Sequence, residues 1–104
     1  MPTQQQIDRF TLAFHQEAIA RLRADGRLVE QARRTLERWR QQRGQTRSDA
    51  YLDRWTELLD SGVDSVERTV CKDDELAATL RNASPLGFVL SPAERDALRH
   101  ASGL

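Results

Sequence analysis

The sequence predicts an all-α fold, a single compact bundle of about five to six helices with a long first helix and no significant sheet. Three observations support this prediction. Apolar residues recur at spacings of three and four residues, which is the period of a helix and not of a strand. Five glycines and three prolines divide the chain into segments of helical length. The 104 residues suit one domain, so residues 1–104 are expected to fold as a unit.

The first helix is expected to be the longest. Thr3 and Gln6 form a capping box at its start. The apolar stripe that follows continues to Leu22, so the helix is predicted to run to about Asp25. Gly26 is well placed to end it, since glycine is common just beyond helix ends.

Four shorter helices are predicted in the middle of the chain. The second spans about residues 28–42, and the third is capped by Ser48 or Asp49 at the end of a polar turn. The fourth covers about residues 63–70. The fifth begins near Asp73-Asp74-Glu75, whose negative charges favour a helix amino terminus.

The last helix is predicted from the strongest local signal in the chain. Ser91, followed by a proline and a glutamate, is typical of a capped helix start, and the helix should span about residues 92–101. The apolar connection 84–90 is expected to dock this helix onto the core, with Phe88 and Leu90 as anchors. A strand of two or three residues at 88–90 is the one alternative to an entirely helical chain.

Charge is unevenly distributed along a chain whose formal net charge is zero. Residues 21–47 contain nine arginines and three acidic residues, a net charge of +6. Residues 48–80 contain nine acidic residues and three basic ones, a net charge of −6. We call these ranges the basic and acidic segments. They either pair within the chain or face charged partners, and the sequence leaves both possibilities open.

The arginines of the second helix are the first candidate contact residues. Guanidinium groups suit phosphates and carboxylates, so they are candidates for binding a protein partner or nucleic acid. If the second and third helices are antiparallel, Asp49, Asp53 and Glu57 should neutralise some of them. The balanced charge argues against a dedicated nucleic-acid binder. The candidates are Arg33, Arg34, Arg38, Arg40 and Arg43.

The two tryptophans belong to a short internal repeat, Leu-acid-Arg-Trp, whose two copies end at Trp39 and at Trp55. The leucine and tryptophan of each copy are three residues apart and therefore share a helix face. Both tryptophans, with Phe88, are predicted to be core anchors. The alternative is that one of them anchors a partner interface, where tryptophan is enriched.

No pattern in the sequence indicates catalysis or a cofactor. Glycine-rich phosphate loops and nucleophile elbows are absent. His15 and His100 have no metal-ligand spacing, and Cys71 is expected to be a partly buried structural thiol. No apolar run reaches the roughly 18 residues of a membrane span, and no signal peptide is recognised. A cytoplasmic, non-enzymatic protein without metal or cofactor is therefore expected.

Three short patterns in the second half of the chain read Tyr51-Leu52-x-x-Trp55-x-x-Leu58-Leu59, Leu80-Arg81-x-x-Ser84-Pro85-Leu86 and Leu90-Ser91-x-x-Glu94-Arg95. With these patterns the chain resembles small helical bacterial proteins associated with toxin–antitoxin gene pairs. The resemblance implies an antitoxin-like role, in which a helical protein binds and neutralises a bacterial toxin. It implies no particular site residue.

The sequence is thus compatible with three functions. The first is a small protein-interaction module, antitoxin-like in its most specific form. The second is a nucleic-acid-binding regulator that uses the arginine-rich second helix. The third is a homodimeric bundle in which the basic and acidic segments pair between chains.

Overall fold

The chain folds into α-helices joined by short connections, and the long first helix contacts most of the others. The computed structural model describes residues 1–44 and 49–103, except for the side chain of Arg43. The predicted polar turn at 45–48, with its Ser48 cap, lies outside these residues. The described part contains no strand, which confirms the all-α prediction. The elements are α1 (Gln4–Ala24), α2 (Arg27–Arg43), α3 (Asp49–Ser61), α4 (Val63–Val70), α5 (Glu75–Asn82), a 3-10 turn (Pro85–Phe88) and α6 (Pro92–Ala101).

The predicted caps set the helix starts. The Thr3 side chain accepts a hydrogen bond from the Gln6 backbone, and the Gln6 side chain accepts one from the Thr3 backbone, which completes the capping box of α1. Ser91 and Glu94 form the same arrangement at α6. Asp74 caps α5 by accepting from the backbone of Ala77. These caps satisfy backbone donors that the first turn leaves unpaired.

Gly26 differs from its predicted role. α1 already ends at Ala24, because the backbone of Asp25 is extended there. Gly26 has ordinary right-handed helical angles and precedes the first residue of α2. The two helices are therefore joined by two residues. Gly62 does act as a terminator, since its φ of 116° separates α3 from α4.

The core lies where α1 meets α4 and α5, with α3 behind α4 and α2 covering α3 and the 3-10 turn. Trp55 is its largest fully buried side chain, and the indole Nε1–H donates to the Leu80 carbonyl at 2.8 Å. The expected apolar faces supply most of the remainder. Ile7 is an exception, because it belongs to the predicted α1 stripe yet is 37% exposed. The other buried apolar residues include Phe14, Ala18, Ile19, Leu22, Leu36, Leu52, Leu58, Leu59, Val66, Val70, Leu80, Leu86 and Leu90.

The apolar connection between α5 and α6 is a 3-10 turn and not the short strand considered at 88–90. Ser84 caps the turn and Pro85 occupies its first position, an arrangement that favours helical geometry. Its buried anchors are Leu86 and Leu90, which are 0% and 3% exposed. Leu90 is thus buried, in keeping with its predicted anchoring role, whereas Phe88 packs against the core but is only partly buried.

α6 lies against α1 without burying any side chain completely. Leu98 provides a partly buried apolar contact. Arg21 of α1 forms an ion pair with Glu94 of α6. The Gln6 side chain also donates to the carbonyl of Gly103 at 3.3 Å, so the two ends of the described chain lie side by side. Among the residues described, no helix is both long and apolar enough to cross a lipid bilayer.

Candidate functional site

Two of the predicted contact arginines on α2 are turned towards α3. Arg33 Nη1 lies 3.0 Å from Asp60 Oδ1, and its Nη2 donates to the carbonyl of Leu59 at 3.2 Å. Arg40 pairs with Asp53 of α3. Both arginines are therefore neutralised by the neighbouring helix.

Arg34 and Arg38 lie on the opposite, solvent-exposed side of α2. They are four residues apart, which places them one above the other on the helix surface. Neither forms an ion pair with a carboxylate of the described residues. The side chain of Arg43, the fifth candidate, lies outside the described part of the chain. Arg34 and Arg38 thus form an unneutralised basic pair, which we call the α2 basic pair.

The basic and acidic segments are connected within the chain. Besides the two α2–α3 pairs, Arg23 of α1 contacts Asp64 at 2.7 Å and Glu67 at 2.9 Å on α4. Hydrogen bonds from Arg23 lower the pKa of both carboxyl groups. The expectation for Asp53 is confirmed, whereas Glu57 pairs with Arg54 of its own helix. Much of the +6 and −6 asymmetry is therefore compensated internally.

The two tryptophans of the short repeat differ in burial. Trp55 is completely buried, as predicted for a core anchor. Trp39 is only partly buried at the edge of the core. The alternative of an interface anchor is thus compatible with the position of Trp39 and not with that of Trp55.

The residues considered for metal or thiol chemistry do not form a reactive cluster. No group of three or more metal-ligating side chains occurs in the part of the chain that the structure describes. Cys71 is half-buried, and burial raises the pKa of its thiol, which disfavours the nucleophilic thiolate. His100 is exposed in α6.

A pocket of about 170 Å³ opens between α1, α5, the 3-10 turn and α6. We call it the α1–α6 pocket. Phe10 and Phe14 of α1 form its apolar walls, and Ser84 lies at its edge. Its charged lining comes from Arg81, Arg95 and Arg99. The basic groups come from two helices that are distant in sequence from α2.

Arg81 is a buried cation, with only 5% of its surface exposed. Its Nη1 donates to the carbonyls of Val70 and Lys72 at 2.7 and 2.9 Å, and its Nε donates to Thr11 Oγ1 at 3.3 Å. No carboxylate of the described residues lies within ion-pair distance of it. A buried charge is costly unless it is paired or well hydrogen-bonded, and here hydrogen bonds to neutral oxygens are its only compensation.

His15 lies beside Arg81 in the same wall and is 3% exposed. Burial above all, and to a smaller degree the charge of Arg81, lowers the pKa of His15 to about 4, although the bond to Thr11 opposes the shift. Nδ1 lies 2.7 Å from the Thr11 carbonyl. A carbonyl only accepts, so Nδ1 carries the proton of the neutral ring. Nε2 is then a buried acceptor that finds no hydrogen-bond partner among the described residues.

Arg95 and Arg99 form the outer rim of the pocket, and each lies over an aromatic ring. The Arg95 guanidinium carbon is 5.3 Å from the centre of Phe14, and that of Arg99 is 5.5 Å from the centre of Phe10. Such cation–π contacts hold long side chains in place. Arg95 also donates to the carbonyl of Gly87.

The pocket was missed at the sequence level because its members are about 70 residues apart and meet only in the folded chain. One signal was present. His15 falls at helical spacing among the apolar residues of α1, and Arg81 follows Ala77 by four residues on the inner face of α5. A polar residue on an apolar face is a reason to suspect a buried polar site.

Comparison with protein-family models, with curated sequences and with solved structures finds no match to this chain. The functional argument therefore depends on its own residues.

Proposed function

We propose that this protein is a small, non-catalytic helical interaction module that binds an acidic surface of a partner protein. The observation that carries the proposal is the α2 basic pair. Arg34 and Arg38 are exposed on α2 without a carboxylate among the described residues, while Arg33 and Arg40 of the same helix are paired. Exposed like charges at four-residue spacing repel each other slightly, and an acidic partner would remove that repulsion.

The paired arginines support this role. Ala32 and Leu36 are buried in the core and set the inner face of α2, and the contacts of Arg33 and Arg40 with α3 are consistent with this orientation. Arg34 and Arg38 therefore face outward. A rigid helix that presents two guanidinium groups is suited to carboxylates, which each group can bind through two parallel hydrogen bonds. Such charges act mainly on association rate and on partner choice.

The specific form of the proposal is an antitoxin-like role in the cytoplasm of a bacterium. This part rests on the resemblance of the second half of the chain to small helical proteins of toxin–antitoxin gene pairs. The partner would then be a toxin with an acidic patch that the α2 basic pair covers. The α2 surface is the part of the proposal that can be tested by substitution.

The nucleic-acid alternative has weaker support from the same observation. Two phosphate contacts would give a salt-dependence slope of only about 2, against the 6–10 contacts typical of strong DNA binding. The homodimer alternative also loses support, because the charges that would pair between chains already pair within one chain.

The experiment is capture of partners by the tagged protein in its native host, with wild-type chain and two charge variants compared. Arg34→Glu with Arg38→Glu reverses the α2 basic pair. Arg9→Glu with Lys72→Glu is the matched control, since it makes the same charge change at exposed positions outside α2. We expect a stoichiometric protein that the wild type and the control retain and that the α2 variant loses.

Growth then tests the antitoxin role. Expression of the captured partner alone should arrest growth, and co-expression of the wild type, but not of the α2 variant, should restore it. Equal retention of the partner by all three proteins would overturn the assignment to α2. Capture of nucleic acid in place of protein would favour the alternative.

A further inference from the structure

The α1–α6 pocket contains a positive charge that the described chain does not neutralise. Arg81 is 5% exposed and forms no ion pair, and its Nη2 makes no hydrogen bond among the described residues. The three bonds it does make fix the guanidinium plane against α1 and the end of α4. A fixed, desolvated guanidinium whose Nη2 group still has its N–H donors free is well prepared to bind an anion through a charge-assisted hydrogen bond.

The other side chains of the pocket add positive charge and no compensating carboxylate. Arg95 and Arg99 stand at the opening, held over Phe14 and Phe10. Asp96 lies 3.8 Å from Arg99 outside the pocket lining. Asp8 and Asp73 line a second pocket that Arg81 also borders, and neither forms an ion pair with Arg81. His15 is neutral at physiological pH. The lining therefore carries a net positive charge from three arginines.

The shape and surface of the pocket limit the size of the anion. A volume of about 170 Å³ is close to the roughly 150 Å³ of an engineered protein cavity that binds benzene, a molecule of six non-hydrogen atoms. The walls formed by Phe10 and Phe14 are apolar, so the ligand should carry an apolar part as well as a charge. The Ser84 hydroxyl, which accepts from the backbone of Leu86, retains its own proton for donation.

We propose that the α1–α6 pocket binds a short-chain aliphatic carboxylate, with the carboxylate at Arg81 and the hydrocarbon chain against the apolar wall that Phe10 and Phe14 form together. One negative charge matches the one buried guanidinium. Inorganic phosphate has no apolar part for the aromatic walls, and its more strongly hydrated oxygens would need more donors than the inner pocket offers. None of these residues lies on α2, so this site and the α2 surface are independent.

Butyrate is a suitable probe because its six non-hydrogen atoms match the volume. The experiment is a titration of the ¹⁵N-labelled protein followed by NMR at constant ionic strength, with butanol and inorganic phosphate as matched ligands. Butanol keeps the chain without the charge, and phosphate keeps the charge without the chain. We expect butyrate to bind with a dissociation constant of the order of 1 mM or below, and about tenfold more tightly than either comparison ligand.

Substitutions at the rim test the same site without breaking the internal bonds of Arg81. Arg95→Gln and Arg99→Gln should each weaken butyrate binding several-fold. Arg81→Gln should abolish it, with circular dichroism as the check that the chain is folded. Arg34→Gln with Arg38→Gln removes two charges from α2 and should leave the affinity within about twofold.

Three results would overturn the proposal. These are shift changes that do not saturate or that spread evenly over the surface, rim variants that bind butyrate as the wild type does, and phosphate or butanol affinity equal to that of butyrate. The α2 charge reversal tests the partner proposal and should leave butyrate binding unchanged. Either proposal can therefore be overturned without affecting the other.

Discussion

At the scale of single residues, His15 shows how burial changes the chemistry of a side chain. The imidazole is enclosed between Phe14 and Trp55, with ring centres 5.4 and 6.2 Å away. An imidazolium ion there would lose its hydration and meet the charge of Arg81. The folded chain therefore keeps His15 neutral, with a pKa of about 4 against the ordinary value of 6.5.

This shift predicts a loss of stability in mild acid. The unfolded chain takes up a proton at His15 below pH 6.5, whereas the folded chain does so only near pH 4. The contribution of neutral His15 to the free energy of unfolding is therefore fully present above pH 6.5. It is lost as the pH falls from 6.5 to about 4, by about 3 kcal/mol in total. Urea unfolding between pH 7 and pH 5, where most carboxyl groups remain ionised, measures about half of the loss.

His15→Leu should remove most of this pH dependence, because leucine does not titrate. His100→Gln, which removes the exposed imidazole of α6, is the matched control and should retain it. If His15→Leu and wild type lose stability in parallel between these pH values, the shift assigned to His15 is wrong.

Two neighbouring apolar residues of the 3-10 turn test the burial difference directly. Leu86→Ala should cost about 2–5 kcal/mol, because Leu86 is completely buried. Phe88→Ala should cost less, about 1–2 kcal/mol, because part of the ring already contacts water. Chemical denaturation of both variants measures the two costs. An equal or larger loss of unfolding free energy for Phe88→Ala would show that Phe88 contributes at least as much to stability as Leu86.

At the scale of elements, local signals were sufficient to predict helices and their starts. Thr3, Asp74 and Ser91 each cap a helix by accepting from the backbone of the residue three positions on, and such local contacts can be predicted from a linear sequence. The 3-10 turn was harder to predict, since a short apolar run has no helical or strand period. The closeness of Arg81 to His15 could not be predicted, because it depends on how α5 packs against α1.

α6 should be the least stable helix among those described. It buries no side chain completely and is held by Leu98, by the cation–π contacts of two arginines and by the ion pair of Glu94 with Arg21. Such an element opens locally before the core does. Hydrogen exchange should show faster exchange for the amides of α6 than for those around Val66 in α4.

Glu94→Gln refines this prediction. Glutamine preserves the capping box but removes the ion pair with Arg21. Exchange in α6 should therefore accelerate several-fold while exchange in α4 stays unchanged. Equal protection of α6 and α4 in the wild type would show that α6 opens only with the whole chain.

At the scale of the whole molecule, the dipolar charge pattern is converted into contacts between helices. Arg33–Asp60, Arg40–Asp53 and the contacts of Arg23 connect the basic segment to the acidic one. The sequence alone left open whether the segments pair internally, since that depends on the packing of α1, α2 and α3. Among the described side chains of α2, Arg34 and Arg38 remain without an ion pair.

A double-mutant cycle measures what one of these contacts contributes. Arg33→Gln and Asp60→Asn should show a coupling of about 0.2–1 kcal/mol, since both groups are partly exposed and screened by solvent. The cycle of Arg34→Gln with Asp60→Asn is the control and should show none, because Arg34 faces outward. A coupling of the same size in both cycles would indicate a long-range charge effect in place of the direct contact.

The hydrogen bond between Gln6 and the Gly103 carbonyl brings the two ends of the described chain together. A pulling force applied at both ends would therefore act first on the contact between α1 and α6, across the helix axes and one contact at a time. Little force is needed to separate α1 from α6 in this direction, because their contacts break one after another and not all at once. The same closeness places labels attached at the two ends within reach of each other, so that energy transfer between them reports the detachment of α6 while the core stays folded.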